Sequence, residues 1–199
     1  MKKFELTNEF ITNMFGTKLF RIRALVEFGD VEAGELGGYV EKESNLGHDD
    51  NAWVYDNAWV YGNARVYGDA QVSGDARVYD NAWVYGDAQV SDNAWVYGDA
   101  QVSGNAWVYG NALVCSDEDY AYAHGFGSVN RTTTFFRLKD GGVGVRCGCF
   151  YGTLAQFRDK IRETHGETKK AQEYLMLADL MELRFEEDEN EVGNRKYVE

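Results

Sequence analysis

The chain has 199 residues, enough for one ordinary domain or two small ones. It carries 33 Asp+Glu against 20 Lys+Arg, a formal net charge of −13, with 22 Gly and no Pro, where average usage implies roughly ten prolines. At 44% hydrophobic and 15% aromatic it can bury a core, which excludes wholesale disorder. The acidity argues against binding phosphate backbones through bulk charge, so no direct nucleic-acid partner is expected. It leaves open basic partners and mimicry of nucleic acid. No apolar run reaches the ~18 residues of a membrane span. The opening Met1-Lys2-Lys3-Phe4-Glu5 lacks an apolar signal-peptide core. Three cysteines give no disulfide framework. A cytoplasmic protein of the host cell, with no membrane partner, is the expectation.

Residues 1–34 read as an N-terminal β cap. Phe20, Ile22, Ala24, Val26 and Phe28 alternate with Arg21, Arg23, Leu25 and Glu27, a strand pattern. Gly29, Gly34, Gly37 and Gly38 then lead into a repeat assigned to residues 35–116. From Asn51 to Ser116 the chain is eleven consecutive six-residue units without a frame slip. Each opens with Asn or Asp and has Ala second and Val fourth. Trp, Arg, Gln or Leu stands third, and Tyr, Ser or Cys fifth. Ala and Val are two apart, so on a strand they share one side, while positions three and five take the other. The Gly/Asp–Asn/Asp pair between units is turn chemistry. Each unit is therefore a very short strand with a small apolar inner face, followed by a corner. Val40 and Leu46 stand six apart in the same rhythm. Leu46 to Val54 is eight, which inserts two residues around His48-Asp49 as a protruding corner.

A period of six with one small and one branched inner residue resembles the hexapeptide-repeat family. The resemblance implies a left-handed parallel β-helix, three units per triangular coil, and a homotrimer packed side by side. Eleven units would make nearly four coils, a prism roughly 18 Å tall at the strand spacing. With 18 residues per coil, unit n lies above unit n+3. One outer face then stacks Trp59/Tyr61, Arg77/Tyr79, Trp95/Tyr97 and Leu113/Cys115. A second stacks Trp53/Tyr55, Gln71/Ser73, Gln89/Ser91 and Trp107/Tyr109. The third stacks Arg65/Tyr67, Trp83/Tyr85 and Gln101/Ser103. The first face is nearly all aromatic and places Arg77 between Trp59 and Trp95 for a cation–π stack. All five tryptophans point outward in this scheme. Trp59, Tyr61, Arg77, Tyr79, Trp95 and Tyr97, with Arg65 and Trp83 of the third face, form the candidate ligand or partner surface.

Residues 117–199 read as an α+β segment. Asp117-Glu118-Asp119 ends the repeat with charge. Thr132 to Leu138 is a strand, Asp140-Gly141-Gly142 a hairpin turn, and Val143, Val145, Cys147 and Cys149 alternate on the returning strand. Thr153 with Gln156 is a capping-box start, and Gly166 stops that helix. A second helix runs from about Lys169 to Phe185. Its apolar face of Ala171, Tyr174, Leu175, Ala178, Met181 and Phe185 is widened by Leu177, Leu180 and Leu183, a stripe that calls for burial. Glu186 to Glu191 is an acidic run expected to fray. The phrases Gly34-Glu35-Leu36-Gly37-Gly38-Tyr39-Val40-Glu41 and Val145-Arg146-Cys147-Gly148-Cys149-Phe150, with the repeat, are similar to uncharacterised proteins of bacteriophages and prophages. That resemblance implies a mobile-element setting rather than a mechanism.

Hexapeptide-repeat acyltransferases use a His base, and the resemblance would offer only His48, in the two-residue corner. The related zinc carbonic anhydrases need three His on one metal, and His48, His124 and His165 are dispersed. Cys147 and Cys149, both on one side of a strand, are weak metal candidates. No cofactor is expected. The reading is a non-catalytic binding protein, a trimeric scaffold acting on a host protein or sequestering a small nucleotide signal, with counter-defence as the setting. In the nucleotide version Trp/Tyr rings stack the base and Arg65 or Arg77 holds the phosphate. Alternatives are an acyltransferase, a structural spacer, or an acidic nucleic-acid mimic using the corner residues Asp56, Asp69, Asp75, Asp80, Asp87, Asp92 and Asp99.

Overall fold

A computed structural model describes residues 2–129 and 131–186. The chain is mainly β. A β-solenoid of about four turns is followed by an antiparallel sheet and two helices. In the repeat, positions three and four of each unit form a two-residue strand, and units pair in parallel with those eighteen residues away. The first face is built from β5 (Trp59–Val60), β8 (Arg77–Val78), β11 (Trp95–Val96) and β14 (Leu113–Val114). The second is β4 (Trp53–Val54), β7 (Gln71–Val72), β10 (Gln89–Val90) and β13 (Trp107–Val108). The third is β6 (Arg65–Val66), β9 (Trp83–Val84) and β12 (Gln101–Val102). These are the three columns that the period of six assigns.

The lumen follows from the inner positions. Every Ala and Val of the second and fourth positions, from Ala52 to Val114, is fully buried. The corners follow from the sixth position. From Asp56 to Gly110 it adopts a left-handed φ in every unit, at Asp56, Asp80 and Asp92 and at seven glycines. Gly tolerates that conformation without penalty, and Asp better than most residues. Corner side chains also bond along the axis. Asn51, Asn63 and Asn81 donate to Asp69, Asn81 and Asp99 one turn on, and Asp56 accepts from the Gly74 amide. Part of the acidic corner stripe is thus engaged in holding turns together.

The solenoid starts before the perfect repeat. β3 (Leu36–Val40) pairs in parallel with β5, Val40 opposite Val60, and Leu46 bridges Val66 on the third face. The cap is a hairpin of β1 (Phe4–Thr12) and β2 (Lys18–Ala24), joined antiparallel to β3. The strand pattern read across Phe20–Phe28 ends at Ala24. Beyond it the chain bends back, with Phe28 bridging Val31.

After the coil come β15 (Tyr120–Phe126), β16 (Arg131–Arg137), β17 (Val143–Cys147) and β18 (Phe150–Thr153), an antiparallel sheet in sequence order. Adjacent residues of β16 serve two cores. Phe136 joins the lumen core, and Phe135 joins a second one with Val145, Phe157, Ile161 and Tyr174, as alternating strand side chains allow. Helix α1 (Leu154–His165) starts with Thr153 and Gln156 capping each other's amides and ends at Gly166. Helix α2 (Lys169–Phe185) buries Ala171, Tyr174, Ala178, Met181 and Phe185. The widening of the stripe is covered only in part: Leu177 packs against this core, whereas Leu180 and Leu183 are 54% and 67% exposed. Only one face of α2 meets α1 and β15. The acidic run beyond Glu186 lies outside the described residues. Among the described residues no helix is long and apolar enough to cross a membrane.

Candidate functional site

On the first face, register puts Tyr39 beside Trp59, Trp59 beside Arg77, and Arg77 beside Trp95. The Arg77 guanidinium lies 4.4 Å from the Trp59 ring centre and 5.1 Å from that of Trp95. Among the described residues no carboxylate pairs with Arg77. The stack extends at both ends. Arg21 of β2 lies 5.2 Å from the Tyr39 ring. Lys139, from the turn after β16, lies 4.1 Å from the Trp95 ring and donates to the Asn93 carbonyl at 2.6 Å. Burial, and then the charge of Arg77, push the Lys139 ammonium below its ordinary pKa. A chain of net charge −13 therefore carries a row of three cations interleaved with aromatic rings on one face. Cation–π contact is the attraction that holds such a row together.

Beside that row runs a tyrosine ladder. Tyr61 and Tyr79 stack at 5.0 Å with planes 2° apart, and Tyr79 and Tyr97 at 5.1 Å and 8°. Tyr61 and Tyr79 are half-buried and Tyr97 is buried. Burial pushes the Tyr61 and Tyr79 phenols above the usual range, and the neighbouring ladder phenols add to the shift at Tyr79.

The second face differs from the sequence reading. Trp53 is fully buried, with Phe4 and Phe28 edge-on at 6.2 and 5.3 Å. It points out of the lumen, as the period requires, but the N-terminal cap covers it. At the other end Arg146 lies 5.2 Å from Trp107 and 4.7 Å from Tyr109, and Tyr151 packs on Tyr109 at 5.0 Å. Both aromatic ends of this face are thus taken up by the caps, leaving Gln71, Ser73, Gln89 and Ser91 between them.

On the third face Trp83 is 39% exposed, and Arg65 is exposed 6.0 Å from its ring. Tyr67 and Tyr85 stack at 5.0 Å and 1°. A cleft of about 310 Å³ opens beneath them, lined by Ser44, Leu46, Gly47, Arg65, Tyr67 and Trp83. Sequence reasoning named Arg65 and Trp83 but missed Ser44, Gly47 and, on the first face, Lys139. Gly47 could have been found, because it directly follows Leu46 in the six-residue rhythm.

The histidines are not brought together. His48 stacks on Phe4 at 4.3 Å and its Nδ1 accepts from the Lys3 amide. His124 meets Thr132 on the C-terminal sheet, and His165 stacks on Tyr174. The cysteines also depart from expectation. β17 ends at Cys147, and Gly148-Cys149 forms the turn to β18, with Cys147 opposite Phe150. Gly148 takes a left-handed φ of 59°, which ends the alternation. Cys147 is half-buried against Thr133, whereas Cys149 is exposed. Among the described residues no group of three His, Cys, Asp or Glu is placed to hold a metal.

Comparison with known proteins agrees with this geometry. A family model described as YdcK Beta solenoid repeat matches residues 58–70, 70–86, 88–104 and 100–116. The coil is similar to that repeat family. All four matched segments lie inside the coil, so the caps and the C-terminal sheet fall outside the likeness. No curated protein matches the chain.

Proposed function

We propose that the protein acts by binding rather than by turnover, with the solenoid as scaffold and its first face as the contact surface. The observation that carries this reading is Arg77, held between Trp59 and Trp95 with no carboxylate partner among the described residues. A guanidinium fixed between two rings keeps its donor edges free for an acceptor. Lys139 extends the positive row at one end, while Arg21 at the other is paired with Glu9 at 3.7 Å. The partner that fits is a carboxylate-rich segment of a host protein laid along the solenoid axis. The similarity of the flanking phrases to phage and prophage proteins supports a host-cell partner, with counter-defence as the setting. The six-residue period supports kinship with the hexapeptide-repeat family, its left-handed winding, and side-by-side assembly into a homotrimer of 22.5 kDa chains. Against an acyltransferase stands the placement of His48, whose ring packs on Phe4 and whose Nδ1 is engaged.

The test is binding to immobilised Glu/Asp-rich peptides against Lys-rich peptides of equal length, with native mass spectrometry alongside. Capture of the acidic set at low salt, weakened about tenfold by Arg77→Ala, is expected, since a charge-assisted hydrogen bond contributes about 1.5 kcal/mol or more. Equal capture of both sets, or no effect of the variant, defeats the reading.

A further inference from the structure

The C-terminal end of the third face carries a second, independent site. The fifth-position column there is Tyr67, Tyr85 and Ser103. Tyr85 stacks on Tyr67 at 5.0 Å, and Ser103 then ends the ladder with a hydroxymethyl group. On the first face the corresponding place is held by a third tyrosine, Tyr97, stacked on Tyr79 at 5.1 Å. Among the described residues no ring stacks on the Ser103 side of Tyr85. A cleft of about 350 Å³ lies there, lined by Tyr85, Ser103, Asp117, Tyr120 and Tyr122, and by Arg184 from the end of α2.

The neighbours of the ladder end are engaged elsewhere. Asp117 serves the third-position column, where its Oδ1 accepts from the Gln101 amide at 2.7 Å. The Ser103 amide is met by the Tyr120 hydroxyl at 3.3 Å, which in turn donates to the Gln101 carbonyl at 2.7 Å. The Tyr120 ring belongs to the lumen core, so its hydroxyl alone reaches this face. The Tyr122 hydroxyl stands against Gly104, one corner on. Both signs of charge border the open place. Arg184 donates to the Asp117 backbone carbonyl at 3.2 Å and not to its carboxylate, which holds guanidinium and carboxylate side by side. Among the described residues neither Arg184 nor Asp117 forms an ion pair.

We infer that this cleft binds a free aromatic α-amino acid. Its ring stacks on Tyr85, in the place a third tyrosine would take. Its carboxylate accepts from Arg184, the side chain suited to bidentate carboxylate contact, and its ammonium donates to the Asp117 carboxylate. An anion alone would face Asp117, and a cation alone would face Arg184. A ligand with both groups on one carbon satisfies the two neighbours together. The volume of about 350 Å³ is at the small end of ligand sites and suits a single amino acid rather than a longer peptide. The site lies on a different face from Arg77 and stands or falls separately from the proposed partner surface.

Calorimetric titration of the full chain tests the inference with L-tryptophan and L-phenylalanine as ligands. Tryptamine lacks the carboxylate, indole-3-propionate lacks the ammonium and L-leucine lacks the ring. One or both aromatic amino acids should bind at least tenfold tighter than any of these three. Arg184→Ala should weaken tryptophan at least tenfold and tryptamine not at all. Asp117→Asn, whose side-chain oxygen can still accept from the Gln101 amide, should weaken tryptophan and not indole-3-propionate. Tyr85→Leu should weaken every aromatic probe about tenfold, and Tyr85→Phe should restore binding. Gln89→Ala on the second face should change nothing. A thermal melt of each variant checks folding, and the three comparison compounds test the same roles on the unaltered chain. Tryptamine or indole-3-propionate binding as tightly as tryptophan would remove the role of Arg184 or Asp117. Leucine binding as tightly would remove the stacking role. No binding of either aromatic amino acid at millimolar concentration would overturn the site.

Discussion

Within the coil, the Gln89 amide donates to the Ala106 carbonyl one turn on, and neighbouring units repeat that bond at nearly the same length. At the two ends each open group meets a different side chain. At the start, the Lys3 ammonium enters the first corner and donates to the carbonyls of Asp50 and Ala52, both at 2.8 Å. At the finish, Asp117 accepts from the Gln101 amide, Tyr120 bonds the backbone of Gln101 and Ser103, and Thr134 accepts from the Trp107 amide. Asp119, 1% exposed, accepts from the Cys115 and Ser116 amides and faces Arg137 at 3.2 Å. The coil spreads its stability over many equivalent bonds. The caps concentrate theirs in a few individual side chains. A solenoid needs such ends, because its last turn otherwise exposes a row of unpaired backbone groups.

The largest expected effect follows from this contrast. Asp119→Ala removes the buried carboxylate that faces Arg137 and that accepts from the Cys115 and Ser116 amides at the end of the coil. Removing one partner of a buried pair typically costs about 3–5 kcal/mol. A urea unfolding midpoint should fall accordingly. Asp119→Asn keeps some acceptor capacity and should lose less. If Asp119→Ala costs under about 1 kcal/mol, the caps do not concentrate stability and the comparison fails.

A smaller loss is expected inside the coil. Val84→Ala removes two methyl groups from the lumen, where Val84 is fully buried. Lost transfer energy and the cavity together come to about 1–3 kcal/mol. The same change at Val66 or Val102, in the same column, should cost a similar amount. A spread much wider than that would show that the turns are not equivalent.

The same division explains what the sequence shows of the molecule. The coil is legible because one rule recurs. Ala and Val alternate inward, a Gly or Asp takes the left-handed corner, and eighteen residues return the chain to the same face. Arg77 between Trp59 and Trp95 follows from that arithmetic alone. The limits of α2 follow from its apolar spacing. The caps are not legible, since their contacts join residues far apart in the chain by shape. Nothing local says that Phe4 and Phe28 cover Trp53, or that His48 is held by Lys3. Asp119 reads as one of three surface acids and is instead the acceptor that closes the last turn. Tyr122 and Tyr151 stand where a Cβ on Gly104 or Gly110 would be, a close approach those two glycines allow but do not announce. The first-face candidates were legible as a column, whereas Lys139 reached it only through the fold of the C-terminal hairpin.

The smallest expected effect concerns pH, where the stacked tyrosines and Lys3 of the N-terminal cap carry opposite signs. Tyr61 and Tyr79 have phenols raised above their ordinary value, chiefly by burial. In the unfolded chain the same groups lose their protons near the usual value of about 10. Above that pH the unfolded state binds fewer protons than the native one, so stability falls as pH rises. Below it both states are protonated and the contribution is fully present. Lys3 acts in the opposite sense. Burial lowers its pKa, so the native state is first to lose that proton and the lysine contribution to stability rises with pH until the unfolded lysine has titrated too. Ultraviolet difference absorbance should show tyrosinate forming later in the native protein than in urea. Tyr79→Phe should remove part of that lag, and Lys3→Met should leave it in place. Loss of the lag in Lys3→Met would place its origin in the N-terminal cap rather than in the stacked rings.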